Sequence, residues 1–272
     1  METKKKKIKG QIGTKTIKPT IAHKPLSPLS EEGKRRKPLT PKQQEELNEE
    51  FRDAARTGKT KDVRRLARLG ADVNEQDNNG WAPIFWAASN GHTETCRVLV
   101  KELGVDINTK DDDDGWTAIH FAAAYGHTKT CKILKELGAA INEETNRDLA
   151  PIHLAAWNGQ TETCRVLVKE LGADVNAKDN DGWAAIHFAA GNGHMGTCRA
   201  LLELGANPLL KNKDGKTAYD LAKTNIIQQI IKPVENLWKR LGEEQVLLLL
   251  QNTNTAIRDC SPEKMYEIVV NL

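Results

Sequence analysis

Four of the five cysteines and six of the seven histidines recur at spacings near 33 residues, and these are the side chains most able to carry chemistry. Cys96, Cys131, Cys164 and Cys198 each stand five residues after a glycine (Gly91, Gly126, Gly159 and Gly193). Bridging such thiols needs Cα atoms within about 7 Å. Holding a metal needs three or four converging ligands rather than single ones a full period apart. The corresponding position after Gly58 is Val63. A slot that accepts either valine or cysteine reads as a small, buried apolar site. His120, His153 and His187 form one periodic set, and His92, His127 and His194 a second. No serine or cysteine nucleophile is placed to partner them, and a turnover site would not recur in every unit. Asp111, Asp112, Asp113 and Asp114 lack the alternating ligands and terminal glutamate of a calcium loop, so they read as a hydrated turn. No catalytic residue, metal or cofactor is expected, and the chain is not expected to be an enzyme.

Composition supports a packed chain. Of 272 residues, 39% are hydrophobic and 28% charged, with a formal net charge of +3. That small sum hides a segregation. Residues 1–42 hold thirteen Lys/Arg and three acids, leaving 27 bases and 34 acids for the rest. The longest aliphatic run, Val246 to Leu250, is far short of the ~20 residues of a membrane helix, so no transmembrane segment is expected. No apolar stretch follows the Lys-rich start, which argues against a secretory signal. Five cysteines without close pairs argue against a disulfide scaffold. These readings predict an intracellular, cytoplasmic protein.

The elements that position the periodic residues are themselves repeated. Gly80-Trp-Ala-Pro-Ile-Phe-Trp-Ala-Ala-Ser-Asn-Gly-His92 returns at Gly115–His127, at Asp148–Gln160 and at Gly182–His194, and fades at Gly215–Asp220. The starts are 35, 33, 34 and 33 residues apart. A second half repeats as Thr-Cys96-Arg-Val-Leu-Val-Lys-Glu-Leu-Gly104 and its copies, each closing on a segment like Gly172-Ala-Asp-Val-Asn176. Apolar residues recur there at three- and four-residue spacings, which predicts two short helices per unit, too short to be stable alone. Stability must then come from stacking. Glycines 80, 115, 182 and 215 suit a turn with positive φ, and Asp148 fills that slot at some cost.

This pattern resembles the ankyrin repeat over about residues 48–224. The resemblance implies a mainly α solenoid of helix-turn-helix units with β-hairpin tips, serving as a protein-interaction scaffold. Phe51–Asn74 looks like a capping first unit without its hairpin. The domain plan is a disordered basic tail over 1–40, a repeat domain over 41–224 (cap 41–79, units starting near 80, 115, 148 and 182, a partial one at 215), and a helical extension over 225–272. Order should begin at Thr40-Pro41-Lys42-Gln43, a helix-start signature. The sequence departs from the family at Ala82, Ala150 and Ala184, which stand in place of its Thr, and at Phe85 and Asp220, in place of its first His. The units starting at 80 and 148 carry one extra residue before their Leu-Gly stop, predicting a bulge or a longer second helix. Beyond 224, Ile226–Leu241 reads as an amphipathic helix interrupted at Pro233, Glu243–Gln251 as a short apolar one, and Ser261-Pro262 as the start of a last helix, together covering the end of the stack.

The resemblance places partner contacts on a concave face made of hairpins and inner helices. Trp81, Trp116 and Trp183 follow the hairpin glycine directly, with Leu149 and Lys216 in the same slot elsewhere. Trp157 aligns with Ser89, Ala124 and Gly191; Tyr125 aligns with Asn90, Asn158 and Asn192. Asp114 and Asp181 precede the hairpin glycine. Exposed Trp and Tyr are strong interface anchors. The alternative is that the three hairpin tryptophans pack on neighbouring units and recur through duplication, an explanation that does not reach Trp157. An unidentified protein partner of a monomeric chain is expected.

The tail stays open to three readings. Lys4, Lys5, Lys6 and Lys7 and the second cluster Lys34, Arg35, Arg36 and Lys37 resemble nuclear-import signals; they also suit anionic polymers such as nucleic acid, or simple solubilisation. The stretch Pro262–Val270 faintly resembles the start of an F-box, as in some viral and intracellular-bacterial ankyrin proteins. Ser261 and Lys264 depart from that pattern, and a capping helix is the preferred reading. The alternatives to a scaffold are therefore a tail-driven binder of nucleic acid or anionic surfaces, or a ubiquitin-ligase adaptor. Nuclear placement, or a host-cell effector role if the source is an intracellular bacterium or a virus, goes with those alternatives.

Overall fold

The computed structural model describes residues 38–252. Expectations for the basic tail and for the segment from Ser261 onward fall outside the described residues. Helix α1 (Pro41–Arg56) starts where the sequence signals it. The Thr40 hydroxyl accepts the Gln43 N–H at 3.3 Å and the Gln43 side chain accepts the Thr40 N–H at 3.0 Å, satisfying two donors that a helix start leaves over.

The chain then alternates two rows of helices. The inner row is α1, α3 (Pro83–Ser89), α5 (Ala118–Ala124), α7 (Pro151–Trp157), α9 (Ala185–Asn192) and α11 (Ala218–Leu221), each packed on the next. The outer row is α2 (Thr60–Leu69), α4 (Thr93–Lys101), α6 (Thr128–Glu136), α8 (Thr161–Lys169), α10 (Met195–Glu203) and α12 (Asn225–Leu241). Helix α13 (Glu243–Asn252) packs on α12. Seven-residue inner helices hold because both flanks are buried. Ile84, Ile119, Ile152 and Ile186 occupy one repeated buried position, and Leu99, Leu134, Leu167 and Leu201 another. Alanine pairs 87/88, 122/123, 155/156 and 189/190 keep the inner row close, and all are buried.

The tips joining units are tight turns, with no strand among the described residues. One polar side chain organises each turn. Asp77, Asp111, Thr145, Asp179 and Asn212 accept the N–H of Trp81, Trp116, Leu149, Trp183 and Lys216 at 2.7–3.1 Å. The backbone N–H of the first residue returns a bond to the carbonyl of the last at 2.8–3.2 Å. Asp148 at φ 56° is the only non-glycine residue with positive φ among the described residues, in the slot where other units carry glycine.

The uneven period has a structural origin. All four outer helices α4, α6, α8 and α10 span nine residues, so the extra residue does not lengthen them. It widens the exit turn instead, where the N–H groups of Leu103 and Leu171 reach back to Val98 and Val166 at 3.1 Å. The Asp111–Trp116 tip is one residue longer than the Asp77–Trp81 and Asp179–Trp183 tips, which accounts for the second extra residue in the 35-residue interval.

One expectation is corrected. Helix α12 is not interrupted at Pro233 but runs through it. Pro removes one backbone bond, yet Ile227, Ile230 and Ile231 before it and Trp238 after it are all buried. Glu235, also buried, receives the Thr217 hydroxyl at 3.4 Å and lies 3.3 Å from Lys232 Nζ, tying the helix to the last tip. Packing on both sides of the proline outweighs the local preference for a break.

Candidate partner-binding groove

The histidines are committed to the backbone. His153 Nδ1 accepts the Ala150 N–H at 2.9 Å and its Nε2 faces the Ala177 carbonyl at 2.8 Å. His187 repeats this with Ala184 at 2.9 Å and Leu210 at 3.0 Å. His120 accepts from the Thr117 N–H at 3.1 Å and donates from Nε2 toward the carbonyls of Glu143 and Leu149, both at 3.1 Å. These partners assign the neutral Nε2–H tautomer. Burial holds all three rings below the usual histidine range, His120 down to about 4. A neutral ring with both nitrogens occupied is a strut between a helix start and the next tip.

The second histidine set caps helix ends across unit boundaries. Nε2 of His92, His127 and His194 lies 2.8–3.0 Å from the carbonyls of Arg56, Ser89 and Trp157. Gln160 takes this role in its unit, donating to the Ala124 carbonyl at 3.3 Å. The four periodic cysteines, Cys96, Cys131, Cys164 and Cys198, are buried and unbridged, and loss of water pushes each of their thiols up to about 12. Among the described residues, no group of three or more His, Cys, Asp or Glu is placed to hold a metal ion. No helix among them is long and apolar enough to cross a membrane.

The aromatics form two clusters with a gap between them. Phe121 lies between Trp81 and Trp116, with ring centroids 4.4 and 5.0 Å away. Phe188 lies between Trp157 and Trp183, at 5.3 and 5.1 Å. The unit starting at Asp148 interrupts this pattern twice. It has Leu149 where the units starting at 80, 115 and 182 have Trp, and Leu154 where those units have Trp86, Phe121 and Phe188. The smaller pair leaves a groove of about 460 Å³ between the third and fourth units. Leu149, Leu154 and Ala124 give it an apolar lining, with Trp116, Tyr125 and Trp157 beside them. Tyr125 is 56% and Trp157 49% exposed. Asp114 and Arg147 add a charged pair, Oδ1 to Nη2 at 3.3 Å.

Of the sequence-derived partner residues, Trp116, Tyr125, Trp157, Asn158 and Asp114 line this one groove. Trp81, Trp183, Asn90, Asn192 and Asp181 are not among its lining. Trp81 and Trp183 are half-buried against the core. The three asparagines spend their amide N–H groups on carbonyls: Asn90 on Trp86, Asn158 on Leu154, Asn192 on Trp157. Asp181 stands 4.0 Å from Lys213. Arg147, Leu149 and Leu154 were missed as groove residues. Their signal was the paired loss of large aromatics in one internal unit, flanked on both sides by units that keep them. Lys4–Lys7 and Lys34–Lys37 lie outside the described residues.

Comparison with known proteins agrees with this architecture. The family described as ankyrin repeats (3 copies) matches residues 51–145, 102–179 and 152–236. Human ankyrin repeat domain-containing protein 40 is 37% identical over 60 residues, 22% of this chain and 16% of that protein. Mouse protein phosphatase 1 regulatory subunit 27 is 38% identical over 54 residues, 20% of this chain and 34% of that protein. The chain thus spans well under half the length of either relative.

Proposed function

Because the chain belongs to the ankyrin-repeat family, we propose that it is a non-catalytic protein-interaction module, acting as a monomer, whose partner seats in the groove between the third and fourth units. The observation that carries the reading is the break in aromatic pattern. Leu149 and Leu154 open a gap just where Tyr125 and Trp157 leave about half their surface in water. Large aromatics on a preformed groove contribute contact area at little ordering cost. Trp81 and Trp183 serve mainly to stack units, and Asp181 with the tip acids supplies steering at the rim.

The similarity to a phosphatase regulatory subunit covers 54 residues, less than two units. A match of that length, 34% of the relative, lends no support to a shared partner. The test is affinity capture from the native cell with wild-type, Tyr125→Ala and Trp157→Ala protein, each checked for folding. Selective loss of one captured protein supports the reading; unchanged capture by both folded variants contradicts it.

A further inference from the structure

Resting on that groove reading, we propose that the groove takes a cationic side chain, arginine or lysine, from a basic segment of the partner, and that Arg147 is the internal stand-in it displaces from Asp114. Three aromatic side chains, Trp116, Tyr125 and Trp157, line the same groove as the Asp114 carboxylate. Ring faces attract either an apolar group or a cation, but a carboxylate favours only the cation. An apolar occupant would strip water from Asp114 and return nothing to it.

Arg147 shows that a guanidinium fits there. It meets Asp114 at 3.3 Å, and its side chain is 74% exposed. A pair so open to water contributes little and is readily exchanged. Surrounding charge points the same way. Lys110 is engaged by Glu143 at 2.8 Å and Lys213 stands near Asp181, whereas Asp112 and Asp113, exposed in the same tip as Asp114, pair with no base among the described residues. The local field therefore draws a basic segment.

Four backbone carbonyls bordering the groove are already spent. The carbonyls of Ala124, Leu149, Leu154 and Trp157 accept from Gln160, His120, Asn158 and His194. A partner strand has no ladder to extend, so recognition falls to its side chains.

The test uses the 272-residue chain and capped seven-residue Gly/Ser peptides with a central arginine, citrulline or leucine. Binding is followed through the tryptophan indole N–H signals by NMR. Arginine is expected to bind about tenfold tighter than its neutral isostere citrulline. Asp114→Asn should erase that preference, and Arg147→Ala should tighten arginine binding. Equal binding of leucine or citrulline, abolished by Trp157→Ala, would overturn the cation inference while leaving the groove as a binding site. Weaker arginine binding by Arg147→Ala would overturn the stand-in role. No shift with any peptide at millimolar concentration would overturn both the inference and the groove reading.

Discussion

The Trp157 ring lies 5.3 Å, centroid to centroid, from Phe188 of the next unit, while about half of its surface remains in water. It is therefore both a packing and a presenting residue, unlike Tyr125, which is more exposed. Trp157→Ala is expected to cost about 1–2 kcal/mol through the lost aromatic contact and partial burial. Tyr125→Ala should stay within about 0.5 kcal/mol of wild type. Urea unfolding of both variants checks this. A larger loss for Tyr125 would reassign it to the core.

Asp148 holds φ 56° in a slot where other units use glycine. Left-handed backbone costs a residue with a Cβ, somewhat less for Asp than for most. Asp148→Gly is expected to stabilise the array by about 0.5–1 kcal/mol, net of the greater freedom glycine has when unfolded. Equilibrium unfolding would show a higher midpoint. An unchanged or lower midpoint would mean that the aspartate side chain compensates for its own strain.

The buried histidines make stability depend on pH with a definite sign. His120 falls from 6.5 to about 4 on folding, and His153 and His187 also fall. Between those values the unfolded chain binds protons that the folded chain cannot. Stability is complete above about pH 6.5 and is lost as pH falls toward 4, with His120 alone contributing about 3 kcal/mol over that window. Ordinary carboxylates titrate mostly below pH 5. Denaturant midpoints at pH 7 and pH 5 should therefore differ, and a flat profile would contradict the assigned neutral struts.

Cys96, Cys131, Cys164 and Cys198 combine full burial with thiols held near 12. In a Cys260→Ser background, a thiol reagent should label none of the four in native buffer and all four in denaturant. Rapid native labelling of any one would show that its unit opens.

Much of this architecture is legible in residue order. The period, the Thr40 cap, the buried cysteine slot and the left-handed Asp148 each follow from a local signal repeated or broken in register. What is not legible depends on neighbours distant in sequence. Pro233 reads as a break, but the burial of Ile230, Ile231 and Trp238 around it holds the helix together. The extra residue near Leu103 left bulge and longer helix open, because only the backbone partner of that N–H decides between them. The groove itself brings together residues near 114, 125, 147 and 157 from two units. Residue type alone points to five of its members one by one, but not to the room that Leu149 and Leu154 make between them.

If the partner uses this room, Leu149→Trp should close its seat. The array already carries Trp in that slot at 81, 116 and 183, packed on a neighbouring Phe in each case. The substitution should therefore fold with wild-type or greater stability while filling the gap over Leu154. Measured against the partner recovered by affinity capture, the Leu149→Trp protein should unfold no earlier than wild type and bind at least tenfold more weakly, roughly the loss of one interface anchor. Wild-type affinity from a folded Leu149→Trp protein would contradict it.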